Sequence, residues 1–147
     1  MDVHLRAVAD ADVPLFFRHQ RQLLVDGEGE SEFRARWHRM LKDQSVLIRT
    51  ILVDGDVAGY VAHFIQLEKP SISYWLDQQF WKRGIATAAL KRFLPLASER
   101  PLYARAAIDN TASHRVLQKC GFEVVGSGRC FSERHGGEVE EVVFALR

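Results

Sequence analysis

The spacing of apolar residues changes period along the chain, and each change marks an element. Val3 to Val8 alternates apolar and polar positions, which predicts a strand. ADADVPLFFRHQRQLL follows with helical spacing, with Asp12 as N-cap and Pro14 in the first turn. DGEGESE is polar and reads as a loop. EFRARWHRMLKD puts Phe33, Trp37, Met40 and Leu41 on one helical face, with Ser31 as its cap. In VLIRTILVDGDVAGYVAHFIQ two β-rich runs flank DGD, a hairpin turn. Pro70 separates a third run, SISYWLD, so three strands in succession form an antiparallel meander.

Beyond SISYWLD the order becomes alternating. A helix runs from about Gly84, and Pro95 ends its first part near Leu94. Then come a strand, PLYARAAID, a helix, TASHRVLQKCG, and two strands, FEVVGSGRCFS and EVEEVVFALR. SISYWLD, helix and PLYARAAID make a βαβ crossover, so those two strands run parallel while the others run antiparallel. The predicted fold class is α/β (α+β): one mixed, mostly antiparallel sheet of seven strands with four helices, all in one domain spanning 1–147.

Composition narrows the function classes. With 147 residues and a formal net charge of +1, the chain has no bulk charge favouring nucleic acid or a membrane surface. Cys120 and Cys130 are too few for a disulfide framework and read as free thiols. The six histidines show no metal-ligand spacing, so no metal is expected. No apolar run reaches the length of about 20 residues that a spanning helix needs. The first residues, MDVHLRAVADADV, are too polar for a secretory leader, so a cytoplasmic location is expected.

One stretch contradicts simple helix electrostatics. In WKRGIATAAL, Lys82 and Arg83 precede the start of a helix, where the dipole disfavours cations. Strand, short turn, glycine and helix together turn free N–H groups outward, a place where a phosphate docks. Gly84 lacks the Cβ that blocks close approach, and Ala86 is small for the same purpose. The turn is neither a P-loop nor a dinucleotide fingerprint, because the required glycines and lysine are absent. Physics alone therefore stops at a phosphate-bearing ligand on a helix N-terminus.

Together with SYWLDQQFWKRGIATAAL, the segment IDNTASHRVLQKCGFEVVG resembles the GNAT acetyltransferase superfamily, nearest its ribosomal-protein N-terminal acetylase branch. The family loop R/Q-x-x-G-x-G/A is matched by Trp81, Lys82, Arg83, Gly84, Ile85 and Ala86, with Trp81 in place of Gln or Arg. The helix signature N-x-x-S-x-R-x-L-x-K-x-G-F is matched by Asn110, Ser113, Arg115, Leu117, Lys119, Gly121 and Phe122. The likeness covers roughly Val46 to Leu146.

The resemblance implies acetyl-CoA as co-substrate and a V-shaped splay between strands 4 and 5. The pantetheine arm would bond the backbone of Tyr74, Trp75 and Leu76. The pyrophosphate would lie on the N–H groups of Lys82, Arg83, Gly84, Ile85, Ala86 and Thr87. Asn110, Ser113, Arg115 and Lys119 would add cofactor contacts. Much of the family draws the thiolate's proton from a tyrosine, where this chain has Leu117. Ser113 is the substitute that the resemblance offers.

Ser71 and Ser73 stand where many relatives carry a glutamate base. His63, on the third strand beside Val61 and Ile65, is the substitute, because imidazole exchanges protons near neutral pH. Glu68, Glu133 and a water chain are the other candidates. The acceptor is expected to be a primary amine of a small molecule or a protein N-terminus, met by DGEGESE and SERHGGE. The sequence sets no oligomeric state. The alternative reading is a non-catalytic acyl-CoA-binding or sensing module on the same fold.

Overall fold

The computed structural model describes residues 2–20, 29–132 and 137–147. In chain order the elements are β1 (Val3–Ala7), α1 (Asp12–Gln20), α2 (Glu30–Lys42), β2 (Leu47–Val53), β3 (Asp56–Gln66) and β4 (Lys69–Leu76). They continue with a short 3-10 turn (Gln78–Phe80), α3 (Ile85–Phe93), β5 (Leu102–Ala107), α4 (Thr111–Lys119), β6 (Glu123–Ser132) and β7 (Gly137–Leu146). The seven strands form one sheet in the order β1-β2-β3-β4-β5-β7-β6. β4 and β5 are parallel, and every other neighbouring pair is antiparallel.

Strand period and sheet pleat divide the apolar residues between two cores. One face gathers Ile51, Val61, Ile72 and Phe144 against Ile85, Leu90 and Phe93 of α3 and Leu117 of α4. The other gathers Ile48 and Ala62 against Phe16 of α1 and Phe33 and Trp37 of α2. A fully buried aromatic or branched side chain contributes about 1.5–3 kcal/mol, so these two layers hold the helices to the sheet. Phe16, Trp37 and Tyr60 meet with ring centroids 4.8–5.2 Å apart.

The hairpin turn falls at Asp54 and Gly55, whose φ values are 50° and 89°. Both positive angles suit the twist of the flanking strands. Gly59 is required for a different reason: a Cβ there would overlap the Trp75 carbonyl oxygen of the neighbouring strand.

Four local expectations change. Asp12 does not cap the N–H groups that follow it. Its buried carboxylate accepts from Arg6 Nη1 and Nη2 at 2.6 and 2.8 Å, from the Ala9 N–H at 2.8 Å and from Thr50 Oγ1 at 2.7 Å. Burial pushes its pKa up, but the Arg6, Ala9 and Thr50 bonds outweigh that and hold it below the usual carboxylate range. Ser31 lies inside α2, which is preceded by Gly29 with no side-chain cap. Leu41 is exposed, because the helix turns it off the apolar face that Phe33 and Trp37 bury. Pro70 does not break the third run. It pairs with Ile65 near the start of β4, and the turn falls earlier, at Leu67 and Glu68 with φ of 52° and 65°.

Candidate active site

β4 and β5 touch at a single ladder pair, Ser71 with Tyr103. Past that vertex the two strands diverge toward their C-terminal ends, leaving the V that the resemblance implies. Asp77 donates its N–H to the Ala58 carbonyl of β3 at 2.8 Å. Backbone groups alternate sides along a strand, so Trp75 also faces β3, while Tyr74 and Leu76 face the splay. This corrects the expectation of three consecutive backbone contacts: Trp75 shares the strand but not the open edge. Its ring lies 6.3 Å from that of Tyr60 on the α1–α2 side.

At the open end of the V stands α3. Gly84 is its N-cap, with φ 75° and ψ 7°, and no side chain bonds the helix's first N–H groups. The Ala88 N–H is the first to find a helical carbonyl, that of Gly84, at 3.1 Å. The N–H groups of Ile85, Ala86 and Thr87 precede it and lack a partner within the helix. A Cβ on Gly84 meets nothing within 4 Å, so the space over this turn is open. Lys82, with φ 61°, and Arg83 are exposed beside it. The Arg83 guanidinium lies 5.9 Å from the centre of the Phe80 ring. Ile85 points the other way, fully buried in the core.

Trp81 ties the turn to the strand. Its indole Nε1 donates to the Leu76 carbonyl at 2.9 Å while 53% of the residue stays exposed. It therefore occupies one acceptor on the open edge of β4 and leaves the Tyr74 backbone and the Leu76 N–H facing the splay.

α4 closes the other side. Asn110 caps it, its Oδ1 accepting from the Ser113 N–H at 3.3 Å. Ser113 is half-buried, and its Oγ accepts a hydrogen bond from Tyr74 Oη at 3.0 Å. Burial pushes the Tyr74 phenol above its ordinary pKa. Arg115 and Lys119 are exposed on α4, and Leu117 is buried in the core. His114, unremarked in the sequence, fastens α4 down: Nε2 lies 3.0 Å from the Ala107 carbonyl and the ring packs 5.3 Å from Phe144.

His63 sits one ladder position from the vertex, paired with Ile72, and is 7% exposed. Among the described residues, its Nε2 is the buried side-chain polar atom without a hydrogen-bond partner. Glu99 Oε1, on the exposed loop before β5, is 3.7 Å from it. The bonds at the site join Ser113 to Tyr74 and leave His63 apart. Glu68 is exposed in the β3–β4 turn, and Glu133 lies outside the described residues, as do Arg134, His135 and most of DGEGESE.

A further pair was invisible in the sequence. Arg105 of β5 and Glu141 of β7 meet at 2.7 Å, with Glu141 nearly buried. They are far apart in sequence and meet only because β7 lies beside β5. Among the described residues, no three His, Cys, Asp or Glu side chains converge as a metal site. No helix among them is long and apolar enough to cross a membrane.

A mixed sheet splayed at one parallel pair, with an uncapped helix start at its open end, defines a protein of the acetyl-CoA-using transferase type. The comparisons agree. The model of the acetyltransferase (GNAT) domain matches residues 2–123, and the chain belongs to the GNAT family. The L-amino acid N-acetyltransferase AaaT of Escherichia coli (strain K12) is 27% identical over 120 residues, covering 74% of each chain. The YdaF protein of Bacillus subtilis (strain 168) is 30% identical over 100 residues, 63% of this chain and 55% of its own. An N-acetyltransferase from Staphylococcus aureus Mu50 superposes with a TM-score of 0.84 at 17% identity, covering 99% of this chain and 98% of that one. The spermidine N-acetyltransferase of Vibrio cholerae, solved with CoA and spermine, gives 0.82 at 14% identity, covering 98% and 94%. The chain is an acetyl-CoA-dependent N-acetyltransferase.

Proposed function

We propose that this enzyme moves the acetyl group directly from acetyl-CoA to a primary amine of a small molecule or of a peptide N-terminus. The observation that carries the reading is the splay past Ser71 and Tyr103, open exactly where the backbone edge of Tyr74 and Leu76 faces it. The amide groups of a pantetheine arm match that edge, since an unpaired strand is a template for an extended amide-bearing ligand.

The pyrophosphate then falls on the N–H groups from Lys82 to Thr87, with Lys82 and Arg83 supplying charge beside it. Asn110 holds the first turn of α4 in place, and Arg115 and Lys119 face the nucleotide. Ser113 reaches the departing sulfur. Trp75 belongs to the reading as a wall of the acceptor side rather than as a backbone partner.

His63 is the group we assign to accept the amine's proton, through water. A buried nitrogen with no partner calls for an explanation, and the Glu99 carboxylate 3.7 Å away opens a path to solvent. The transfer itself needs no acyl-enzyme: the amine attacks the thioester carbon, C–N forms, C–S breaks, and the electron pair leaves on sulfur.

The acceptor classes named for the relatives, L-amino acids for one and spermidine for another, define the first panel. The test is thiol release from acetyl-CoA against amino acids, polyamines and short peptides, with the product weighed by mass spectrometry. Acetylated amine with stoichiometric free CoA supports the reading. CoA binding without turnover across the panel overturns it in favour of an acyl-CoA-sensing module.

A further inference from the structure

We propose that Tyr74 and Ser113 act as one unit, a two-hydroxyl relay that delivers a proton to the departing thiolate. The inference rests on the reading of Ser113 as the group at sulfur and assigns a function to Tyr74, whose side chain that reading leaves idle.

Three observations carry it. First, the hydrogen bond has a direction: Tyr74 Oη donates to Ser113 Oγ at 3.0 Å. A hydroxyl has one proton and two lone pairs, so Ser113, having accepted, keeps its own proton for another acceptor. Second, the bond crosses from β4 to α4, the two elements that flank the opening past the Ser71–Tyr103 vertex. The free Ser113 proton therefore belongs to the site where the thioester must lie. Third, α4 supplies no alternative one turn on. Leu117 is apolar and 2% exposed, packed into the core.

The surroundings suit a donor. Tyr74 is largely buried, with the Cys120 thiol nearby, and burial keeps both groups in their protonated forms. Asn110 holds the Ser113 N–H and so fixes the α4 turn that presents Oγ. Serine alone is a weak acid. Donation from a phenol lowers the cost of removing its proton, because the developing charge on Oγ is met by a hydrogen bond already in place.

The step balances. As C–S breaks, its electron pair stays on sulfur, which takes the Ser113 proton. Ser113 Oγ takes the Tyr74 proton, and the phenolate regains one from solvent. The proton lost by the acceptor amine leaves separately through its own base. Tyr74 thus acts through Ser113 and is a positioning and relay residue rather than one that touches sulfur.

The experiment is a double-mutant cycle on kcat: Tyr74→Phe, Ser113→Ala and the pair, with acetyl-CoA KM and melting temperature measured on each. Phenylalanine keeps the ring packing and removes only the hydroxyl. Each single change is expected to lower kcat about 10- to 100-fold, within the range for lost acid–base catalysis. Acetyl-CoA KM should stay within about 2-fold. The double variant should be no slower than about 2-fold below Ser113→Ala, because a broken relay cannot be broken twice. Ser113→Thr, which retains a hydroxyl, should recover most of the rate.

Effects that multiply in the double variant would overturn the relay. Full kcat in Tyr74→Phe with a slow Ser113→Ala would overturn it too, while leaving Ser113 at sulfur. Full kcat in both singles would remove Ser113 from the mechanism and the underlying reading with it. Should Tyr74→Phe melt early, the Ser113→Ala and Ser113→Thr pair still decides between a proton-handling and a packing role.

Discussion

Replacing Gly84 by alanine separates what the turn contributes to folding from what it contributes to binding. Gly84 sits at φ 75° and ψ 7°, a left-handed conformation that costs an L-residue about 1–2 kcal/mol. A Cβ there meets no atom within 4 Å, so no steric penalty adds to that strain. In a chain of this size a loss of about 1 kcal/mol lowers Tm by about 4 °C. The ligand side is different. The added methyl stands over the N–H groups of the first turn of α3 and holds a phosphate away from them. Hydrogen bonds to a charged partner contribute about 1.5–3 kcal/mol each, so losing one raises the Kd for CoA about 10- to 100-fold. Calorimetric titration with CoA and a melting curve on the same sample measure both terms. Gly55→Ala is the matched control. It has φ 89° and an equally open Cβ position, but lies in the β2–β3 turn. It should lose the same few degrees and bind CoA as the wild type does. A folded Gly84→Ala that binds CoA with unchanged affinity would refute the placement of the pyrophosphate.

Asp12→Asn should cost about 2 kcal/mol at pH 7, the scale of hydrogen bonds to a charged group. Because the Asp12 pKa is held below its ordinary value in the folded state, its contribution is complete above about pH 4 and is lost as pH falls through the folded value. The Tm gap between wild type and variant should therefore close in acid; a gap constant down to pH 2 would show that the Arg6 and Thr50 bonds do not carry the effect. Trp81→Phe removes the bond to the Leu76 carbonyl and frees the turn. CoA affinity should fall about 5-fold, in line with about 1 kcal/mol for one neutral hydrogen bond, and tighter binding would mean that the indole competes with the ligand for that edge. His63→Gln should reduce kcat about 100-fold or more and remove the acidic limb of the pH–rate profile while acetyl-CoA KM holds. Unchanged kcat would leave His63 as core packing.

The reach of the sequence was set by the range of the forces involved. Strand alternation, helical spacing and the DGD turn are local, and they determined the elements, the crossover and hence the parallel β4–β5 pair. The loop from Trp81 to Thr87 was legible for the same reason, since a glycine between a strand and a helix is a contiguous signal. Ser31, Leu41 and Pro70 show where local preference yields. A glycine one residue outside α2 let the helix start without the serine cap, helix rotation against the sheet took Leu41 off the buried face, and a proline near the start of a strand was tolerated inside it. Asp12 was read as a cap because caps are near neighbours; its partners Arg6 and Thr50 come from two other strands, and only the folded sheet brings them together.

The site divides along the same line. That backbone would bind at β4 was readable, but which residues face the opening was not: the parity of Tyr74 and Leu76 against Trp75 depends on the register with β3. The Tyr74–Ser113 bond, the Arg105–Glu141 pair and the solitary nitrogen of His63 join or isolate residues by tertiary position alone. Sequence by itself fixed the list of parts and the phosphate-binding turn, because those depend on neighbours along the chain. The tertiary structure decided which hydroxyl meets which, and which strand edge stays open, because those contacts form only after the chain has paid for closing its long loops and packing both faces of the sheet.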